Sequence, residues 1–127
     1  MPIEISIIIK NIIQDLKKNY PNAFVYCLKQ KNEIWIGASP EILYQFENQI
    51  GKTQSLAGTK KLEQSFSDKE IREQKIVPDY IENKLKSQNI DFHTQALEEI
   101  QYGTIKHLRN EIHISENNWL KICQLLH

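Results

Sequence analysis

Between residues 23 and 57 the chain repeats one pattern: short runs rich in apolar and β-branched residues, each closed by a turn signal. Residues 23–30 (AFVYCLKQ) and 33–37 (EIWIG) read as strands about a tight turn at Lys31-Asn32. Residues 41–47 and 52–57 read as a second pair that turns near Asn48 to Gly51. Successive antiparallel strands predict a sheet meander, and one face of such a meander must be covered. The pattern therefore predicts an α+β fold in which helices supply the cover.

The flanking segments supply those helices. Residues 3–19 place Ile5, Ile8, Ile9, Ile12, Ile13 and Leu16 on one helical stripe, with Pro2 suited to a first-turn position. Alternation of Ile3, Ile5 and Ile7 leaves a short strand open as the start of this segment. Asn19-Tyr20-Pro21-Asn22 stops the helix. Ser67-Asp68-Lys69-Glu70 has the spacing of a capping box and opens a helix that runs to about Ser87. Val77, Tyr80, Ile81 and Leu85 are expected to face the core. Pro78 removes the hydrogen bond to the carbonyl of Gln74, which predicts a kink just after Glu73. Residues 104–114 read as a strand. Ser115 reads as the cap of a last helix bearing Trp119, Leu120, Ile122, Cys123 and Leu126.

Bulk properties narrow the function. At 127 residues the chain suits one domain with a modest core. Sixteen Lys and Arg balance sixteen Asp and Glu, which gives no electrostatic case for nucleic acid or an anionic membrane surface. No apolar run approaches a bilayer span, and the first residues lack the layout of a secretory signal. Cys27 and Cys123 are far apart in sequence, and free thiols in a reducing cytoplasm are expected.

Several residue groups carry possible chemistry, each with a plainer reading beside it. Glu41 follows Gly37-Ala38-Ser39-Pro40, either at a hairpin corner or as a carboxylate held over a substrate. Glu70 and Glu73 lie one turn apart on one helix face. Such a pair suits a hard cation such as Mg²⁺, but its spacing alone describes solvated surface residues at least as well. In Leu56-Ala57-Gly58-Thr59 the glycine N–H and the threonine hydroxyl offer donors to a carboxylate, or the stretch simply ends a strand. His107, within a strand, reads by itself as a hydrogen-bonded structural residue. His93, His113 and His127 form no metal spacing with it. There is no phosphate-binding glycine loop, nucleophile elbow or zinc motif.

Taken in order, W-I-G-A-S-P-E, L-A-G-T, S-D-K-E-x-x-E and H-L resemble the chorismate-utilising enzymes, from about Tyr20-Pro21 onward. That family includes isochorismate synthase, anthranilate synthase component I, aminodeoxychorismate synthase component I and salicylate synthase. The resemblance implies that Glu41 is the general acid at the chorismate C4 hydroxyl. It implies that Gly58 and Thr59 contact the substrate near its ring carboxylate. Glu73 is implied as a Mg²⁺ ligand, Glu70 as its acidic neighbour, and His107 as the active-site histidine. The chemistry agrees: loss of hydroxide from a cyclohexadiene needs a proton donor, and a carboxyl screened from water is more easily kept protonated. The stretch Ile76 to Asn83 lacks the V-D-L-x-R-N-D run of the anthranilate and aminodeoxychorismate enzymes and is more similar to isochorismate synthase. Those two relatives remain the alternative within the family, and a non-catalytic interaction domain on the same fold is the alternative outside it.

The chain also departs from the family pattern. Gln74 stands where His usually follows the metal-binding Glu, and Pro78 is unusual in that helix. Lys10, Lys17 and Lys18 lie in no motif matching the lysine that activates water, and the family's C-terminal carboxylate contacts have no counterpart. Residues 1–127 are thus expected to be a single partial domain, the central portion of a chorismate-binding catalytic domain. The expected whole is a Mg²⁺-dependent isochorismate synthase serving menaquinone or siderophore synthesis. By itself the chain is expected to be inactive, to hold no Mg²⁺, and to bury uncovered sheet surface by self-association.

Overall fold

The computed structural model of the chain describes residues 3–126. Pro2 and His127 lie outside the described residues. Packing divides the chain into two compact units, one ending at Pro40 and one beginning at Glu41.

The first unit holds α1 (Ile3–Asn19), β1 (Phe24–Gln30) and β2 (Glu33–Ser39). The N-terminal segment is helix from Ile3 onward, so the strand alternative does not apply. Ser6, Ile9, Ile13 and Leu16 are half-buried, while Ile5, Ile8 and Ile12 are exposed, a narrower stripe than expected. β1 and β2 form the expected hairpin, paired from Phe24↔Ser39 to Gln30↔Glu33. Lys31 takes a positive φ of 51° at the turn. Phe24, Tyr26, Leu28 and Trp35 alternate onto one face of this hairpin and are exposed.

The second unit holds β3 (Gln45–Glu47), β4 (Ile50–Lys61), α2 (Asp68–Gln74), α3 (Ile76–Ser87), β5 (Phe92–Thr94), β6 (Glu98–Tyr102), β7 (Ile105–Ile114) and α4 (Trp119–Leu126). Its antiparallel sheet runs β3-β4-β7-β5, with β6 also paired to β7. α2 packs on β4 and β7, and α3 on β4, β5 and α4. The core beneath them is Ile81, Leu85, Ile90, Ile112, Ile114 and Ile122, flanked by Tyr44, Phe92, Leu125 and Leu126.

The antiparallel α+β class with covering helices is as expected, but the strands of residues 23–61 do not form one meander. The first hairpin is a sheet of its own, and the second belongs to a sheet whose central pairing, β4 with β7, joins distant segments. The expected strand over 41–47 shrinks to Gln45–Glu47, and its turn is the residue pair Asn48-Gln49, both at positive φ. That geometry matches the twist of the flanking strands and leaves Gly51 already paired with Phe46.

The helix interruption falls where Pro78 predicts it. α2 ends at Gln74, Lys75 separates the two helices, and α3 begins at Ile76. Pro78 then sits in the first turn of α3, where a missing N–H costs nothing. The restart also turns the apolar face. Pro78, Ile81 and Leu85 are buried, whereas Val77 and Tyr80 are exposed, contrary to expectation. The last helix is capped not by Ser115 but by Asn118, whose Oδ1 accepts from the Lys121 amide at 3.1 Å. Only Ile122 of that helix is buried. β5 and β6 had no counterpart among the expected strands. Among the described residues no helix is long and apolar enough to cross a membrane, and Cys27 and Cys123 are free.

The turned face of α3 sets a clear expectation. Leu85→Ala, at a fully buried position, should cost about 2–5 kcal/mol by equilibrium denaturation. Val77→Ala, at an exposed one, should cost less than about 1 kcal/mol.

Candidate functional site

The site is built on an irregularity in the long β4–β7 pairing. Ala57 pairs with Leu108 and Lys60 with Lys106, so Gly58 and Thr59 together oppose the single residue His107. Two residues against one is a β-bulge. Gly58 takes φ +63°, the left-handed region, and a Cβ there would stand 2.8 Å from the Phe66 ring. Both facts require glycine. Sequence reading placed Leu56-Ala57-Gly58-Thr59 after a strand; it lies within one, because the bulge lets β4 continue to Lys61.

The bulge aims two oxygens at the imidazole of His107. Its Nδ1 is 2.7 Å from the Gly58 carbonyl and 3.3 Å from the Thr59 hydroxyl. A carbonyl only accepts, so Nδ1 carries the proton and donates, and in the neutral ring Nε2 keeps its lone pair. The Tyr102 ring, almost wholly buried, lies 5.6 Å from the imidazole at a 58° tilt. Burial pushes the Tyr102 hydroxyl above its ordinary range.

Lys60, the residue after Thr59, reaches α2. Its Nζ stands 3.1 Å from Glu70 Oε1. The other oxygen of Glu70 accepts from the Ser67 amide and the Ser67 hydroxyl, each at 2.8 Å, while the Ser67 hydroxyl accepts from the Glu70 amide. This is the capping box legible in the sequence. The backbone bond from Ser67 first, then its hydroxyl and the Lys60 contact, hold the Glu70 carboxyl down at about 2. A folded value below the unfolded one stabilises the fold above the ordinary carboxylate range. That contribution fades as pH falls from about 4.5 towards about 2.

Glu73 differs from its neighbour one turn earlier. Its carboxylate is more than half exposed and meets only Lys69, at 3.7 Å along the helix, a contact of little energetic weight. It presents one hard oxygen ligand of the kind Mg²⁺ takes. Among the described residues no three His, Cys, Asp or Glu side chains gather to hold a metal. Glu41 stands exposed at the start of the second unit, between β2 and β3. The structure thus joins Gly58, Thr59 and His107 by direct contact and ties Glu70 to the residue beside them.

Two features were missed in the sequence. Gln74 is buried, and its Nε2 donates to the Ser55 carbonyl at 3.0 Å, the Ser55 hydroxyl at 2.8 Å and Asn110 Oδ1 at 3.3 Å. The sequence marks it only as a departure from the family's His; its burial is not legible, because a polar residue in a helix reads as exposed. The second is an ionic row on β7, where Arg109 contacts Glu98 at 2.6 Å and Glu111 contacts His113 at 2.6 Å. Burial raises the Glu111 carboxyl; the His113 hydrogen bond and the charges of Lys52 and Arg109 outweigh it, for a net lowering. Strict alternation of Arg109, Glu111 and His113 was the signal available for this row.

The family model described as chorismate binding enzyme matches residues 2–127. Among solved structures, the menaquinone-specific isochorismate synthase MenF from Escherichia coli superposes with a TM-score of 0.74 at 21% identity, covering 91% of this chain and 30% of that one. A putative 2,3-dihydroxybenzoate-specific isochorismate synthase, DhbC from Bacillus anthracis, gives 0.75 at 17% identity, covering 93% and 37%. The chain therefore spans about a third of the length of these enzymes. At these identities they show the fold. No curated protein matches the chain in sequence.

Gly58→Ala places a methyl group against Phe66 in a left-handed conformation. It should cost about 1–3 kcal/mol in urea denaturation. The nitrogen resonances of the His107 ring should shift as the Gly58 carbonyl moves away from Nδ1.

Proposed function

Because the chain belongs to the chorismate-binding enzyme family, we propose that it forms part of the catalytic domain of a cytoplasmic, Mg²⁺-dependent isochorismate synthase. Both units are read as pieces of that one domain, and the reaction converts chorismate to isochorismate in menaquinone or siderophore synthesis. The observation that carries this reading is the contact of His107 with the Gly58-Thr59 bulge. It gathers, from strands distant in sequence, three residues that the family resemblance assigns to one site. Two further points favour the isochorismate branch: the stretch Ile76 to Asn83 lacks V-D-L-x-R-N-D, and both solved neighbours bear that name.

The chemistry follows from the side chains. Chorismate is a dianion whose ring carboxylate needs donors and whose C4 hydroxyl must leave with a proton. The Thr59 hydroxyl and the backbone N–H groups of the bulge supply donors to a carboxylate approaching Gly58, where the absent side chain leaves the backbone accessible. His107 keeps Nδ1 on the Gly58 carbonyl, which leaves Nε2 as the acceptor of the neutral ring. Glu41 is the general acid for the C4 hydroxyl; being exposed in this chain, it depends on bound substrate for its screening from water. Glu73 would be a ligand for Mg²⁺, which would supply positive charge to offset the ring carboxylate. Among the described residues no second carboxylate joins Glu73 in a metal-holding group, and no lysine is assigned here as the base for water. On this reading the chain by itself does not turn over chorismate.

Chorismate titrated into isotope-labelled protein should shift the amide signals of Gly58 and Thr59 and the ring signals of His107. Unchanged spectra at millimolar chorismate would count against the assignment. In a coupled isochorismatase assay with Mg²⁺ the chain alone should give no isochorismate. Turnover that vanishes in Glu41→Gln would overturn that expectation.

The exposed Phe24, Tyr26, Leu28 and Trp35 of the first hairpin form an apolar face on a two-stranded sheet. Such a face is unfavourable in water, and we propose that it is covered by self-association. Light scattering should report a mass above that of one chain. Trp35→Lys should lower it, whereas a stable monomer at high concentration would refute the idea.

A further inference from the structure

We infer that Lys60 and Gln74 are positioning residues: they clamp the two ends of α2 to the β4–β7 ladder and so fix where Glu73 stands. This rests on the reading of Glu73 as a cation ligand.

The starting observation is that α2 has little else to hold it. It is seven residues long, too short to persist by its own hydrogen bonds. Its single buried residue is the polar Gln74, and its one branched apolar side chain, Ile71, is exposed. A helix without a buried apolar face is not located by the hydrophobic effect, the usual source of helix placement. Directional polar contacts must do it instead.

Those contacts stand at opposite ends. At the first turn, Glu70 bonds Ser67 within the helix and Lys60 outside it, the latter at 3.1 Å. Lys60 is adjacent to Thr59 and paired across the sheet with Lys106, so this tie ends at the bulge itself. In the last turn, one amide group of Gln74 grips Ser55 and Asn110, which are cross-strand partners on β4 and β7. A single side chain therefore spans the ladder. Glu73 lies between the two ties, three residues after Glu70 and one before Gln74.

The geometry of Gln74 argues that its role is placement. The Ser55 carbonyl can only accept, which fixes the donor end of the amide towards the sheet. Its Oε1 is then buried without a hydrogen-bond partner. A buried unsatisfied acceptor works against stability. The Nε2 contacts converge on Ser55 and Asn110 across the ladder, so the residue gives the end of α2 its direction. Lys60 is only partly buried, and its ion pair adds little to global stability. Removing either should loosen α2 without unfolding the unit.

Amide hydrogen exchange on the whole chain separates local loosening from global loss. In Lys60→Met and in Gln74→Met the amides of Arg72, Glu73 and Gln74 should exchange about tenfold faster. Those of Ile81, Leu85 and Ile112, and the urea midpoint, should stay as in the parent. Lys60→Arg should restore protection, because it keeps the charge. Unchanged α2 exchange, or an equal loss at every site, would overturn the clamp. Line broadening by Mn²⁺, used as a probe for Mg²⁺, then reads the ligand. Broadening centred on Glu73 that needs several-fold more Mn²⁺ in both variants supports positioning. Broadening of equal strength in parent and variants would contradict it. If the parent shows no broadening at Glu73, the ligand reading falls while the exchange result still decides the clamp.

Discussion

In the second unit every strand reaches the sheet through the pairing of β4 with β7. β3 joins through β4, and β5 and β6 join through β7. The pairing runs from Gly51↔Ile114 to Lys61↔Ile105 and brings together segments separated by both α2 and α3. Closing so long a loop is entropically costly, and what holds it closed is the side-chain alternation of β7. Leu108, Ile112 and Ile114 are buried on the helix side. Arg109, Glu111 and His113 form the ionic row on the other. A slip of one residue would exchange the two sets, placing carboxylate and guanidinium under α3 and isoleucine in water. The register is therefore specified from both faces, and the position of the bulge along β4 is specified with it.

The bulge converts that register into a site. An unbroken ladder would set one residue opposite His107; the extra residue turns the Gly58 carbonyl and the Thr59 hydroxyl onto the ring instead. It also determines which way the following residue points. By strand alternation His107 shares the face of Arg109, whereas Lys60, paired with Lys106, meets Glu70 on the helix side. A two-residue irregularity thus links an imidazole on one face to an acid-bearing helix on the other.

Local chemistry was legible in the sequence; long-range pairing was not. The capping box at Ser67, the hairpin at Lys31-Asn32 and the interruption caused by Pro78 depend on a few neighbouring residues, and each appears in the structure. The meander failed because alternation predicts that residues form strands without saying which strand is the partner. β7, more than forty positions on, takes the place beside β4 that a meander reserves for a neighbour. One continuous helical wheel assigns Val77 and Tyr80 to the core; the break at Lys75 begins a new one. The sequence shows that Gly58 permits close backbone approach, but the reason it must be glycine, a left-handed φ beside the Phe66 ring, involves a residue brought near only by folding. The burial of Gln74 is hidden for the same reason, since its three acceptors lie on two strands, β4 and β7.

The two acids of α2 show how spacing can be right and still incomplete. One helical turn apart, Glu70 and Glu73 are equivalent on a helical wheel and look like a matched pair for a cation. Their surroundings divide them. Both oxygens of Glu70 are engaged, one by Ser67 and one by Lys60, and the charge those contacts stabilise is already neutralised within the protein. A cation approaching Glu70 must displace an ammonium group and open a helix cap. Glu73 asks for neither, because its neighbour Lys69 is mostly solvated. The acidic pair is better understood as a strut and a ligand: the first carboxylate holds the helix end against the bulge so that the second has a fixed place from which to act.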